Sequence, residues 1–276
     1  MKKKFGILTL ALCLMLGAVG CSNSNSSSSS NASGSSSDAS SSQSSGKEIE
    51  LNISAAASLQ EAMVEIEKEF KEVNPDVKLT VNLGSSGTLM QQIQEGADCD
   101  VFISAGAKQM DALVEDGTIN KDDVKTLLIN DLVLVAAKGE KIDSLDDLKN
   151  DSITKIAIGD PESVPAGKYA KEVLDNTNLY DSVQNKLVLG KDVKQVLSYV
   201  QQGAAQVGFV YLSDAHGVDD VDVVLTTDED THSEIAYPIA VLKNSKKTDA
   251  AKQFEDFLLS DAGQNILEKY GFKKAK

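Results

Sequence analysis

The sequence predicts an α/β fold with helices packed on largely parallel sheet, and three observations carry that prediction. Short apolar runs alternate with amphipathic ones along the chain. Four of the apolar runs end in junctions of small and hydroxyl-bearing residues that open helices. The body, from about residue 47 to 276, is long enough for two modest domains.

Ahead of that body, residues 1–20 read as a targeting signal: Lys2-Lys3-Lys4, then an apolar run over 5–19 too short to span a membrane comfortably. Ala18-Val19-Gly20-Cys21 resembles the lipobox of bacterial lipoproteins, which implies cleavage that leaves Cys21 N-terminal and lipidated. Ala18 stands where Leu is usual, so ordinary secretion and an uncleaved anchor are the alternatives. Residues 21–46 form a linker in which 16 of the 24 positions from 22 to 45 are serine. Without apolar periodicity it buries no core and is expected to be a disordered leash spanning about 27 Å.

Within the body, strands are predicted at 50–54, 78–83, 101–104, 132–137, 155–159, 186–189, 207–211 and 235–241, with helices between. The clearest helix covers 59–73, where Leu59, Met63, Ile66, Phe70 and Val73 recur at spacings of three and four. No internal repeat is present.

Composition excludes several functions. The formal net charge of -15, which cleavage of a signal holding three lysines and no acid moves to -18, argues against nucleic acid. Every basic residue is lysine, so a bound anion cannot be held by a guanidinium fork. His216 and His232 are the only histidines, too few for a multi-His metal site. Cys13 belongs to the signal, which leaves Cys21 and Cys99; no structural disulfide is expected, and Cys99 reads as a small buried hydrophobe.

The four junctions carry the chemistry. Ala55-Ala56-Ala57-Ser58 precedes the first helix, where Ser58-Leu59-Gln60-Glu61 fits a capping box. Gly84-Ser85-Ser86-Gly87-Thr88 precedes a helix over 89–95, residues 161–167 precede one over 168–174, and Gly190-Lys191-Asp192-Val193 precedes one over 194–201. Unpaired N–H groups and the partial positive charge of a helix start favour anions, and small residues let an oxyanion approach the backbone. In open α/β sheets such junctions gather at the carboxyl ends of strands, where ligands bind. For any one junction, a simple helix cap is the competing explanation.

Three other chemistries fit less well. Gly84-Ser85-Ser86-Gly87-Thr88 lacks the final Gly of a nucleophile elbow. Ala166-Gly167-Lys168-Tyr169 has no Gly five residues before Gly167, and Tyr169 replaces the Ser or Thr of a phosphate-binding loop. The acidic residues over 214–222 and 228–230 lack the alternation of an EF-hand loop and read as a solvated face.

Several motifs, in order over nearly the whole body, resemble those of the molybdate-binding protein of bacterial ABC transporters. They are Ala55-Ala56-Ala57-Ser58-Leu59, Gly84-Ser85-Ser86-Gly87-Thr88-Leu89, Asp100-Val101-Phe102-Ile103-Ser104-Ala105, the stretch 159–170 (GDPESVPAGKYA, the most specific), the stretch 208–215 (GFVYLSDA) and Lys269-Tyr270-Gly271-Phe272. The resemblance implies a two-lobed type II periplasmic-binding-protein fold, with a mixed, mostly parallel sheet in each lobe and a two-strand hinge. Lobe 1 would be 47–129 plus 239–276 and lobe 2 would be 130–238, with Tyr237-Pro238 near the return crossing. The implied oxyanion ligands are the Ser58 and Ser86 hydroxyls, the Ala166 and Val193 N–H groups and the Tyr211 phenol. Cys99 departs from the small residue common in relatives and is expected to add thiol reactivity near the first lobe.

The expected function is therefore capture of molybdate, and of tungstate with its similar size and charge, by a monomer that closes over the anion and is read by a membrane permease. No enzyme activity, cofactor or direct metal ligand is expected. A shell of donors has little to offer the proton of hydrogen phosphate, unless Asp160 or Asp192 turns inward. The alternatives are a receptor for sulfate, phosphate or an organic anion on the same fold, and a secreted hydrolase using Ser86 with His216 or His232.

Overall fold

The computed structural model describes residues 48–275; the signal 1–20, Cys21 and the linker 21–46 lie outside the described residues. The first half of the chain's path runs β1 (Ile49–Ala56), α1 (Gln60–Val73), β2 (Val77–Gly84), α2 (Ser86–Gln94), β3 (Val101–Ile103), α3 (Ala107–Glu115) and β4 (Lys125–Ile129). It then crosses to β5 (Leu132–Ala137), β6 (Ile156–Gly159), α4 (Pro165–Asn176), α5 (Tyr180–Val183), β7 (Leu187–Gly190), α6 (Val193–Gln201), β8 (Val207–Tyr211), α7 (Leu212–Ala215) and β9 (Val221–Thr226). It returns through β10 (Ala236–Val241), α8 (Thr248–Leu259), α9 (Asp261–Lys269) and β11 (Lys273–Lys274).

These strands make two mixed sheets, ordered β11-β4-β10-β3-β1-β2 and β7-β6-β8-β5-β9. Parallel pairing is confined to β1 with β2 and β3, and to β6 with β7 and β8. The crossing strands pair antiparallel with their neighbours, so each sheet has a parallel wing and an antiparallel one. Asn130 and Asp131 carry the chain from the first sheet to the second, and the segment between Thr226 and Ala236 brings it back. Tyr237 and Pro238 already belong to β10 and pair with β4.

Apolar runs such as Leu132-Val133-Leu134-Val135-Ala136 are wholly buried, as strands covered on both faces must be. α1 lies on its sheet through Met63, Ile66 and Phe70, and the Phe70 ring meets Phe254 edge-on at 5.3 Å. Val73, expected on the same stripe, is 62% exposed because the chain turns away at the end of the helix.

Three strands were not foreseen. β9 and β11 are sheet edges, and β9 buries only Val221, with Asp222 and Val223 exposed, so it reads as part of an acidic run. β4 begins with the polar pair Lys125-Thr126. The acidic run is also less uniform than expected: Asp214 is buried, whereas Asp219 and Asp220 are exposed. No group of three or more acidic, His or Cys side chains among the described residues is placed to hold a metal ion.

The capping box at Ser58 does not form. Residues Ala57–Leu59 make a turn of 3-10 helix, Leu59 precedes α1 without a side-chain cap, and the Ser58 hydroxyl instead meets the Tyr237 hydroxyl at 2.8 Å. Cys99 is buried with its thiol donating to the Val101 carbonyl at 3.2 Å. Burial pushes that thiol up to about 11, so the expected reactivity is corrected to an inert core thiol.

Candidate functional site

The helix starts predicted from the four junctions begin one to three residues earlier than their apolar runs suggest in α2, α4 and α6, which places the junction residues in the first helical turns. These turns converge on a small cavity lined by Ala56, Ala57, Ser58, Gly84, Ser85, Ser86, Ala105, Val164, Pro165, Ala166, Val193 and Tyr211. Ser58, Ser86, Ala166, Val193 and Tyr211, named from sequence, all line it. The first sheet supplies the two serines and the second supplies the other three.

Each wall has a local cause. Ser85 is the N-cap of α2: its hydroxyl oxygen accepts the Thr88 N–H at 3.2 Å and its proton goes to the Thr88 hydroxyl at 2.8 Å. Ser86 follows in the first turn, and its hydroxyl oxygen accepts the Ala105 N–H at 2.9 Å. Pro165 opens α4, where a missing N–H costs nothing, and Ala166 comes next. Asp192 caps α6 by accepting the Gln195 N–H at 2.8 Å, and Val193 begins that helix. The N–H groups of Ser86, Ala166 and Val193 have no acceptor within their own helices.

Glycine allows the close packing. A Cβ on Gly167 would lie 2.0 Å from the Gly159 carbonyl oxygen, so α4 can sit directly on the end of β6 only with glycine there.

Tyr211 ends β8 and is wholly buried; its hydroxyl donates to the Ala105 carbonyl across the cavity at 3.3 Å. Burial first, then the neighbouring Tyr237, Tyr169 and Asp214, pushes its phenol well above the ordinary range, so it stays a neutral donor.

Among the described residues no charged side chain lines the cavity. The Lys194 ammonium, one residue past Val193, is committed to Asp214 and to Glu61 on α1. Asp160 and Asp192 both turn to backbone, accepting the N–H groups of Glu162 and Gln195. The site therefore offers hydroxyls, backbone N–H groups and the starts of three helices, an arrangement suited to an oxyanion.

It is not arranged as a hydrolase. His216 is exposed, and the ring nitrogens of His232 meet the Ser233 carbonyl and the Thr227 hydroxyl at 2.8 and 3.0 Å. Among the described residues neither histidine is hydrogen-bonded to Ser86.

Three residues in or behind the cavity wall were missed from sequence as site residues. Ala105 backs Ser86, and Tyr237 backs Ser58 with Asn130 behind it. Ala105 closes one of the motifs noted above; Tyr237 and Asn130 carry no local signal that sets them apart from ordinary crossing residues.

Comparison with known proteins agrees with this architecture. Residues 51–273 match the family described as bacterial extracellular solute-binding protein. A Bacillus subtilis protein assigned as an ABC transporter substrate-binding lipoprotein is 44% identical over 222 residues, 80% of this chain and 85% of that protein. The molybdate-binding protein ModA of Escherichia coli is 39% identical over 226 residues, 80% of this chain and 87% of ModA. A solved substrate-binding domain assigned to a molybdenum ABC transporter of Clostridium difficile is 56% identical, with a TM-score of 0.66 over 83% of this chain and all of that domain. The match takes in both sheets, both crossings and every wall of the cavity, and the chain belongs to the bacterial extracellular solute-binding protein family.

Proposed function

We propose that this protein captures molybdate, with tungstate as an equivalent ligand, and delivers it to an ABC permease. The carrying observation is a small cavity whose walls from both sheets present donors and neither a charge nor a carboxylate acceptor. The molybdate-binding relatives support the choice of anion. The family binds solutes outside the cytoplasm and is not an enzyme family.

In this reading the anion is held by the hydroxyls of Ser58, Ser86 and Tyr211, the last turning its proton from the Ala105 carbonyl to the anion, and by the N–H groups of Ala166 and Val193. The lobes follow the two sheets, with the return boundary ahead of β10 rather than at 239 because Tyr237 and Pro238 already pair with β4, and the anion stabilises the closed form because only that form offers both half-sites. The protein works as a monomer, tethered through a lipid on Cys21. Neutral dipoles act at contact, while the overall negative charge is screened beyond about 8–10 Å and mainly slows arrival. Hydrogen phosphate is disfavoured because its proton finds no carboxylate acceptor, since Asp160 and Asp192 face their own backbones. Sulfate is distinguished by cavity size.

Calorimetry with molybdate, tungstate, sulfate and phosphate tests the reading. Submicromolar binding of the first two alone is expected, weakened about 10- to 150-fold by Ser86→Ala through loss of a hydrogen bond to a charged ligand. Tight phosphate binding, or an unaffected Ser86→Ala, contradicts it.

A further inference from the structure

Serine is ambiguous as an anion ligand, because its oxygen can present either a proton or a lone pair. A site that selects an unprotonated oxyanion needs each hydroxyl to present the proton. For Ser86 the backbone settles this: the Ala105 N–H can only donate, it occupies the serine oxygen at 2.9 Å, and the serine proton is left for the cavity. Among the described residues Ser58 has no backbone donor of this kind. Its partner is the Tyr237 hydroxyl at 2.8 Å, and either oxygen could donate.

The direction is fixed two residues further back. The Asp131 N–H donates to the Asn130 side-chain oxygen at 2.9 Å, which sets the orientation of that amide. The Asn130 NH₂ group therefore faces the Ser213 hydroxyl at 2.9 Å and the Tyr237 hydroxyl at 3.4 Å, and it can only donate. Tyr237 accepts from Asn130, so its own proton goes to Ser58. With its oxygen engaged, Ser58 turns its proton to the cavity.

We infer that Asn130 and Tyr237 are positioning residues that polarise a buried hydrogen-bond chain so that Ser58 acts only as a donor to the bound oxyanion. This rests on the reading of Ser58 as an anion ligand. All four side chains, Asn130, Ser213, Tyr237 and Ser58, are buried, so water does not compete for these bonds. A hydroxyl that accepts one bond is also a better donor in the next, by about 10–30% per bond. Burial keeps the Tyr237 phenol well above its ordinary value, so the chain always has its proton. Its first two members are anchored where the polypeptide passes between the sheets: Asn130 on the outward crossing, Tyr237 on the first strand after the return. The polarity of the ligand shell is thus set from the hinge.

A double-mutant cycle on the full chain tests this, with molybdate affinity read by calorimetry. Ser58→Ala is expected to weaken binding about 10-fold or more, and Tyr237→Phe, which keeps the ring and loses the proton, about 5- to 10-fold. Because Tyr237 acts through Ser58, the double variant should bind within about twofold of Ser58→Ala alone. Losses that multiply, or Tyr237→Phe binding like the unaltered protein, overturn the inference and leave the site intact. Ser58→Ala binding normally overturns the site reading and the inference with it. Should Tyr237→Phe fail to fold, Asn130→Ala in the same cycle reads the same coupling: no further loss on Ser58→Ala supports the chain, and a multiplied loss overturns it.

Discussion

The N–H of Gly87, in the first turn of α2, donates to the carbonyl of Ser163 at 2.9 Å, joining a helix of the first sheet directly to the loop before α4 of the second. No side chain intervenes, and a Cβ on Gly87 would stand 2.3 Å from that carbonyl oxygen and 2.8 Å from the Ser163 Cα. The glycine lets the two halves of the cavity meet backbone to backbone. Gly87→Ala is therefore expected to weaken molybdate binding at least about 10-fold by wedging the halves apart. The anion-free protein should melt no lower, since Ala is the better helix former by up to ~1 kcal/mol. Calorimetry beside thermal melting checks both; unchanged affinity would show that the contact has no part in closure.

Gly167 has the opposite signature, because its near neighbour, the Gly159 carbonyl, belongs to the same sheet's half of the molecule. Gly167→Ala forces α4 off the end of β6, a backbone clash of the kind that costs about 1–3 kcal/mol. A lower urea midpoint is expected even without anion, with a loss of affinity as the Ala166 N–H is displaced. A midpoint equal to that of the unaltered protein would mean α4 moves freely on β6.

Lys194 joins the halves by charge. Its ammonium pairs with Glu61 on α1, whose side chain is half exposed, so the bond is worth at most about 1 kcal/mol in water. Glu61→Gln should weaken molybdate binding about 2- to 5-fold at low salt. The difference should vanish near 1 M salt, where the screening length falls to about 3 Å. A loss independent of salt would rule out an electrostatic role.

How far the sequence reveals this site depends on distance along the chain. The junctions at Ser58, Ser86, Ala166 and Val193 are legible because the demands on them are local: a strand end, a helix start and room for an anion beside the backbone. Tyr237 is not, because its partner Ser58 is 179 positions away and a tyrosine beside a proline looks like any crossing residue. The apparent capping box at Ser58 misleads for the same reason, since a buried phenol outcompetes the helix N–H for that hydroxyl. Edge strands such as β9 are obscured by facing water on one side. Asp214 sits in a run of acids that reads as solvated, and only the packing of α6 against α7 shows it to be enclosed.

Asp214 makes a prediction in pH. One carboxylate oxygen accepts the Tyr211 N–H at 3.3 Å, while the other lies 3.0 Å from the Lys194 ammonium without forming an aligned hydrogen bond and has no other partner among the described residues. Burial outweighs the attraction of Lys194 and pushes the carboxyl from its ordinary 3.8 up to about 6. Lys194 itself is pushed up, because two carboxylates outweigh its own loss of water. The native Asp214 thus holds its proton more tightly than the unfolded chain does. Its contribution to stability is full below about pH 4 and is lost as pH rises through about 6, a change on the order of 3 kcal/mol. Asp214→Asn keeps the shape and the acceptor for Tyr211 but cannot titrate. The stability of the unaltered protein minus that of the variant, from urea unfolding between pH 4 and 8, is therefore expected to be flat above pH 7 and to rise as pH falls towards 4. Every other titrating group is common to both proteins and cancels in the difference, so a difference flat across the whole range would place Asp214 at its ordinary pKa and remove the basis for the prediction.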